Sequence, residues 1–181
     1  KGMSMFIAEK GEGFNVSRKM EKLGYKGIDS AEINFDDYRI SASNLLGGVE
    51  GSGMQAALSG LELGRINIAG RGCGIANAAL MDSVNYAQTR KTFGKPIAQH
   101  QAIQLKLGEM ATKVQAARLL TYDAARAYDR GERCDMEAGM AKYFASEAAV
   151  ENSLEAMRIH GGYGYSKEYH IERYFRDAPL M

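Results

Sequence analysis

Cysteine is scarce in this chain: Cys73 and Cys134 are the only two among 181 residues. They are too few for a disulfide framework, so a reducing cytosol is the default expectation. Charge of one sign is lacking too, since 23 Lys+Arg against 22 Asp+Glu leave a net charge of +1. That balance gives no electrostatic reason to bind nucleic acid, an anionic membrane or a polyacidic partner. No charge-free run approaches the roughly 20 apolar residues of a membrane span. Proline occurs twice and never between Met54 and Thr89, so nothing there forbids a long helix. Common catalytic and metal signatures are missing: no His-Glu-x-x-His, no Cys-x-x-Cys, no nucleophile elbow and no phosphate loop. Gly70-x-Gly72-x-Gly74 has the wrong spacing for a dinucleotide turn and no strand before it. A signal peptide is not visible, and Lys1 in place of a starting methionine suggests a piece of a longer protein.

Hydrophobic residues make up 45% and charged residues 25% of the chain, the usage of a soluble globular protein. Its two parts differ in texture. Met3 to Glu9 lacks turn residues and suits a short, largely buried strand. Ala31 to Asp36 alternates, with Ala31, Ile33 and Phe35 on one face, which predicts a half-buried strand with one wet side. Gly11, Gly13, Gly24 and Gly27 mark turns. Three or four antiparallel strands fit here, too few to close a sandwich or barrel, so they read as part of a larger sheet.

After Gly47-Gly48 the period becomes helical. Met54, Leu58, Leu61, Ile68, Ile75, Leu80 and Val84 predict one long helix to Thr89, the alternative being a break near Gly70–Gly74. Five glycines inside such a helix cost about 1 kcal/mol each relative to alanine. They are expected where another backbone or a ligand comes close. Ile103, Leu107, Met110, Val114, Ala117, Thr121, Ala124 and Tyr128 predict a second helix, ending at Arg130-Gly131. Asp135 is the expected N-cap of a third, which runs to His160 and stops at Gly161-Gly162. A shorter helix is expected over Glu168–Arg176. Three long helices with short connections imply an antiparallel bundle. The fold class is therefore mainly α, a long-helix bundle over 48–181 preceded by a partial antiparallel β domain over 1–47.

Two clusters could carry chemistry. In Arg90-Lys91-Thr92-Phe93-Gly94-Lys95-Pro96, followed by Gln101, a guanidinium beside hydroxyl and amide donors could hold a phosphate or pyrophosphate; on composition alone it could equally be a helix end neutralised by basic residues. In Ile159-His160-Gly161-Gly162-Tyr163-Gly164-Tyr165, glycines among aromatics would let a backbone approach a flat ligand, or simply cap a helix. Glu62 and Arg65, one turn apart, form a third candidate whose bland reading is a surface ion pair. His100 and His170 read as solvated, no metal site is expected, and the cysteines read as packing residues.

In this order and spacing the clusters resemble the acyl-CoA dehydrogenase family of flavoenzymes. Met3 to Lys10 and the stretch from Leu23 to Asn44 are similar to its strand motifs. Leu61-Glu62-Leu63-Gly64-Arg65 resembles "L-D-x-G-R", and Tyr86 to Pro96 resembles "Y-A-x-x-R-x-x-F-G-x-P". Gln101 to Gln104 matches "Q-A-I-Q". His160 to Tyr165 and Glu172 to Ala178 match "H-G-G-x-G-Y" and "E-R-x-x-R-D-A". The likeness covers essentially the whole chain.

The resemblance implies a fold of helical, β and four-helix-bundle domains, of which this chain would hold the later strands and three bundle helices. It implies FAD as cofactor, bound between subunits of a tetramer, and an electron-transferring flavoprotein as redox partner. Arg90, Thr92, Phe93 and Gln101, with Arg158, Ile159, His160, Gly161 and Gly162, are the implied cofactor contacts. Arg158 stands where many members have glutamine. Glu62 and Arg65 are the implied acyl-CoA contacts. The implied activity is α,β-dehydrogenation of an acyl-CoA to a trans-2-enoyl-CoA; an acyl-CoA oxidase or flavin monooxygenase on the same fold, or a non-enzymatic helical module, are the alternatives. No catalytic residue is expected in this chain. Most members carry the glutamate base just past the Arg-Asp-Ala motif, beyond Met181, and the minority position matches Gly64, which has no side chain.

Overall fold

The computed structural model describes residues 2–181, in two compact units, one up to Leu61 and one from Glu62 to Met181. The first unit holds an antiparallel pair, β1 (Phe14–Lys19) and β2 (Ala31–Phe35), with a register shift between Val16 and Arg18. Phe14, Phe35 and Tyr38 cluster beside it, with ring centroids 5.2–6.0 Å apart.

Two expectations change here. Met3–Glu9 is not a strand: it makes one bridge, Phe6 with Leu45, flanked by the bonds Leu46 N–H to Met5 carbonyl (2.8 Å) and Ile7 N–H to Asn44 carbonyl (3.0 Å). Its neighbour is coiled into two 3₁₀ turns, Ala42–Asn44 and Leu46–Gly48, and a coiled partner cannot present a continuous ladder. Nor is β2 buried on one face, because Ile33 is 50% and Phe35 59% exposed. A two-stranded ribbon has no second layer to cover it.

The helix α1 (Gly53–Thr89) runs 37 residues without a break. Of its expected close approaches, one is real. A Cβ on Gly72 would meet the Ala145 carbonyl oxygen at 2.7 Å, whereas Gly60, Gly64, Gly70 and Gly74 have nothing within 4 Å. Two-residue strands β3 (Lys91–Thr92) and β4 (Lys95–Pro96) form a hairpin, with Phe93 and Gly94 at positive φ in its turn. Next come α2 (Gln101–Asp129), α3 (Asp135–His160) and α4 (Ile171–Asp177). Gly131, at φ +71°, donates its N–H to the Tyr128 carbonyl, and Glu132 N–H reaches the Ala127 carbonyl, closing α2 as its sequence predicts.

Asp135 is not the N-cap of α3. It is the first helical residue, Cys134 occupies the cap without a side-chain bond, and the Asp135 carboxylate is taken by Arg133 at 2.9 and 3.1 Å. The last helix begins later than expected, at Ile171, because residues 166–170, after the 3₁₀ turn Gly161–Tyr165, form bends and turns.

The helical core is built largely from alanine. Ala69, Ala76, Ala117, Ala124, Ala141 and Ala145 are buried with Val114 and Cys134 in one cluster, and small side chains let these helices pack closely. A second cluster, around Met110, Ile159 and Ile171 with Tyr86 and Ile97, packs beneath the β3–β4 hairpin. Among the described residues no helix is long and apolar enough to cross a membrane.

Candidate functional site

A cleft of about 540 Å³ opens beside that second cluster, lined by Tyr86, Arg90, Thr92 and Ile97 from one side and by Ile159–Tyr163 and Ser166 from the other. The two sequence clusters, some 70 positions apart, thus meet in one cavity. What brings them together is the end of α1 lying against the end of α3. Tyr86 stacks on His160 with centroids 4.2 Å apart, and its hydroxyl donates to the His160 carbonyl at 3.3 Å.

Arg90 leaves α1 one residue past its end and is exposed at the cleft. Among the described residues no carboxylate lies within ion-pair distance of it. Its guanidinium stands 5.9 Å from the Tyr163 ring, a cation–π approach that leaves its forked donors available. Thr92 lies 3.0 Å from His100 Nε2 through Oγ1. His100 is therefore half-buried and bonded, not solvated as expected, because the hairpin folds Thr92 back onto the start of α2. Phe93 projects from the hairpin tip almost fully exposed. Gly161 turns the chain out of α3 at φ +60°, a conformation that favours glycine.

His160 is buried, and its Nδ1 lies 2.8 Å from the Ala156 carbonyl. Burial pushes its pKa below the ordinary histidine value, against the opposing pull of that carbonyl and of Asp82. Its Nε2 has no hydrogen-bond partner. Sequence spacing marked His160 as part of a glycine turn but did not reveal this free acceptor, which arises only when Tyr86 covers the ring. Tyr86, for its part, lay outside the expected site, and its phenol is pushed above its ordinary pKa chiefly by burial.

Not every expected residue joins the cleft. Gln101 is exposed and does not line it. Arg158 points elsewhere: it pairs with Glu155, which also pairs with Lys106 of α2. Glu62 and Arg65 lie toward the other end of α1; at 1.5 Å per residue Arg65 is about 36 Å from Thr89. They make no ion pair with each other. Instead they face the α2–α3 turn, where Glu62 acts on Arg133 and Cys134 and Arg65 acts on Asp135. No group of three or more metal-ligating side chains forms among the described residues.

The cleft has the donor set for a phosphorylated ligand with a flat end. A free guanidinium and the Thr92 hydroxyl suit phosphate oxygens. A backbone stripped of side chains at Gly161 and Gly162 lets a planar group approach. FAD fits these residues.

Residues 51–181 match the family model described as the C-terminal domain of acyl-CoA dehydrogenase. Over 180 residues the chain is 50% identical to an acyl-CoA dehydrogenase of Bacillus subtilis, covering 99% of this chain and 47% of that protein. It is 42% identical over 182 residues to the CarC subunit of the caffeyl-CoA reductase–Etf complex of Acetobacterium woodii, covering 100% of this chain and 48% of the relative. Among solved structures, butyryl-CoA dehydrogenase from Megasphaera elsdenii superposes with a TM-score of 0.96 at 41% identity, covering 99% of this chain and 47% of that one. The chain spans about half the length of the relatives it matches.

Proposed function

We propose, because this chain belongs to the acyl-CoA dehydrogenase family, that it serves an FAD-dependent enzyme converting an acyl-CoA thioester to its trans-2-enoyl-CoA. The observation that carries this reading is the cleft that joins Arg90 to the Gly161-Gly162 turn. Arg90 and Thr92 would hold the FAD phosphates, and Ile159, His160, Gly161 and Gly162 would receive its flat adenine end. Phe93 and Gln101 would complete the contact from the hairpin and the start of α2. Bound FAD supplies the acceptor for the β hydrogen as hydride; the rest is position and electrostatics from the protein.

Glu62 and Arg65 are assigned to placing the acyl-CoA. Their separation from the cleft along α1 supports an oligomer in which one chain holds acyl-CoA while its cleft serves a neighbour's cofactor. Exposed Leu58, Leu61, Leu105, Leu119, Met136 and Tyr143 offer apolar surface for a homotetramer. The α proton must go to a carboxylate. Position 64 has no side chain, and Glu62 is two residues from it, about 200° around the helix. By the family's arrangement the base is therefore assigned to the glutamate position just past the Arg-Asp-Ala motif, not to position 64.

The Etf in the name of the Acetobacterium woodii relative supports an electron-transferring flavoprotein as redox partner; the scarcity of cysteine fits a reducing compartment, bacterial cytoplasm or, in a eukaryote, mitochondrial matrix. The same name, a reductase, supports a second reading in which the reaction runs from enoyl-CoA to acyl-CoA. Anaerobic titration of the flavin-loaded holoprotein tests both. An acyl-CoA should bleach the oxidised flavin absorbance, and an enoyl-CoA should restore it after chemical reduction. Absorbance indifferent to every thioester offered would refute the proposal.

A further inference from the structure

Lys142 of α3 is half-buried, and among the described residues no carboxylate lies within ion-pair distance of it. Its ammonium goes to the main chain instead, where Nζ donates to the Met181 carbonyl at 3.1 Å. Met181 is itself buried, just past the 3₁₀ turn Ala178–Leu180 that follows α4. A half-buried cation without a counter-charge is unfavourable, and an apolar side chain of similar length would pack there as well. The bond to the strap is what a lysine adds. The register of the helices shows where that strap lies. Gly72 of α1 meets Ala145 of α3 and Tyr86 meets His160, so the two helices run parallel. Lys142 is thus level with the turn of α1 around Ala69, and Arg65 is one turn further, about 6 Å at 1.5 Å per residue. Tyr174 is level with a turn nearer the cleft, since its hydroxyl donates to Asp82 of α1 at 3.0 Å. Between Tyr174 and Met181 the chain therefore runs back along α3, away from the cleft and towards the level of Arg65.

We propose that Lys142 is a positioning residue for α-proton abstraction: by tethering the Met181 carbonyl it sets the level along α1 at which the segment carrying the base meets the thioester. This rests on the acyl-CoA dehydrogenase reading above and on its assignment of the base. Residues that continue past Met181 in the same direction come level with Arg65, assigned to the acyl-CoA, and with Gly64, which leaves room beside the helix. A carboxylate takes an α proton only from within hydrogen-bond reach, and a misplacement of about 1 Å can lower the rate by about a hundredfold. The tether suits that demand in two ways. It holds main chain, so it fixes the segment whatever side chains follow. Its donor is charged, which makes the bond stronger than one between neutral groups.

The test uses the full-length, flavin-loaded enzyme. Lys142→Met keeps the apolar stem and loses the donor, whereas Lys142→Arg keeps a donor. Lys142→Met should lower kcat roughly tenfold to a hundredfold. KM for the acyl-CoA should stay within about twofold, because the tether acts on the reacting group and not on ground-state binding. With α-deuterated acyl-CoA the isotope effect on kcat should rise, since proton abstraction has become the slower step. Lys142→Arg should recover most of the loss. Amide hydrogen exchange needs no turnover: residues just past Met181 should lose protection in Lys142→Met while α2 keeps its own. Should Lys142→Met not fold, Lys142→Gln, with a shorter and neutral donor, carries the same comparison. A lower thermal midpoint with kcat and isotope effect unchanged would mean a merely structural role and overturn the proposal. So would a loss that arginine does not recover, or one carried wholly by KM; in each case the assigned activity stands. Turnover that survives replacement of the glutamate past the Arg-Asp-Ala motif by glutamine, or a wild-type holoenzyme that oxidises no acyl-CoA, overturns the reading and this proposal together.

Discussion

The side-chain amide of Asn152 donates to the main-chain carbonyl of Met110 at 3.1 Å, a polar tie across the seam between α2 and α3. The same amide reaches the Ala76 carbonyl of α1 at 3.3 Å, so one residue joins three helices. Asn152 is fully buried, and in that surrounding each bond counts more than it would at the surface. Asn152→Ala should therefore lower stability by about 1–3 kcal/mol. The thermal midpoint should drop by about 2–4 °C per kcal/mol for a chain of this size. A midpoint indistinguishable from wild type would show the tie to be dispensable.

Gly72 and Gly74 lie two residues apart on α1 and should respond in opposite directions. A Cβ at 72 runs into the Ala145 carbonyl at 2.7 Å, which is backbone and can yield only if α3 moves. Gly72→Ala should destabilise by about 1–3 kcal/mol. At 74 nothing lies within 4 Å, so Gly74→Ala should stabilise by about 0.5–1 kcal/mol through helix propensity. Chemical denaturation of both variants settles the contrast, and equal midpoints would contradict the packing described.

Arg90→Lys should weaken flavin retention without unfolding the chain. Lysine keeps the charge but loses the planar fork that grips two phosphate oxygens. Gel filtration of the flavin-loaded protein should leave less FAD on the variant, with the far-ultraviolet circular dichroism unchanged. Undiminished FAD on the variant would remove Arg90 from the site.

Glu172 and Arg176 of α4 predict a pH dependence. Two bonds from Arg176, 2.6 and 3.0 Å long, hold the Glu172 pKa below its ordinary value of 4.5, against a smaller opposing effect of burial. A depressed carboxylate contributes stability that is present above its unfolded pKa and lost as pH falls through its folded value. The pair is half-buried, so its worth is about 0.5–1 kcal/mol. Glu172→Gln should be less stable than wild type by that amount at pH 7, and the gap should close below about pH 4. A gap independent of pH would mean that packing, not the ion pair, explains the loss.

The long helices were legible because their signal is local. Apolar residues at three- and four-residue steps, a proline-free run and a glycine at Gly131 act within a few residues of one another, and a helix needs little more to be specified. The two cleft segments could be marked for the same reason, since arginine beside a hydroxyl and glycine beside an aromatic are neighbours in the chain. The short β part was read less well. Strand ladders depend on partners far away in sequence, and Met3–Glu9 meets a coiled segment where a strand was expected.

Sequence alone determined the helical order, the family likeness and the residues able to bind a nucleotide. Tertiary structure decided which of them line one cleft. Arg158 and His160 are two residues apart, yet the helix turns one toward Glu155 and buries the other against Tyr86. Glu62 and Arg65, matched in spacing for an ion pair, turn instead to the α2–α3 turn. Of the five glycines inside α1 from Gly60 to Gly74, only Gly72 meets a neighbouring backbone. Apart from the local Arg158–Glu155 pair, each outcome depends on an element 50 or more residues away, so it follows from how the helices pack and cannot be found in a window of neighbouring residues.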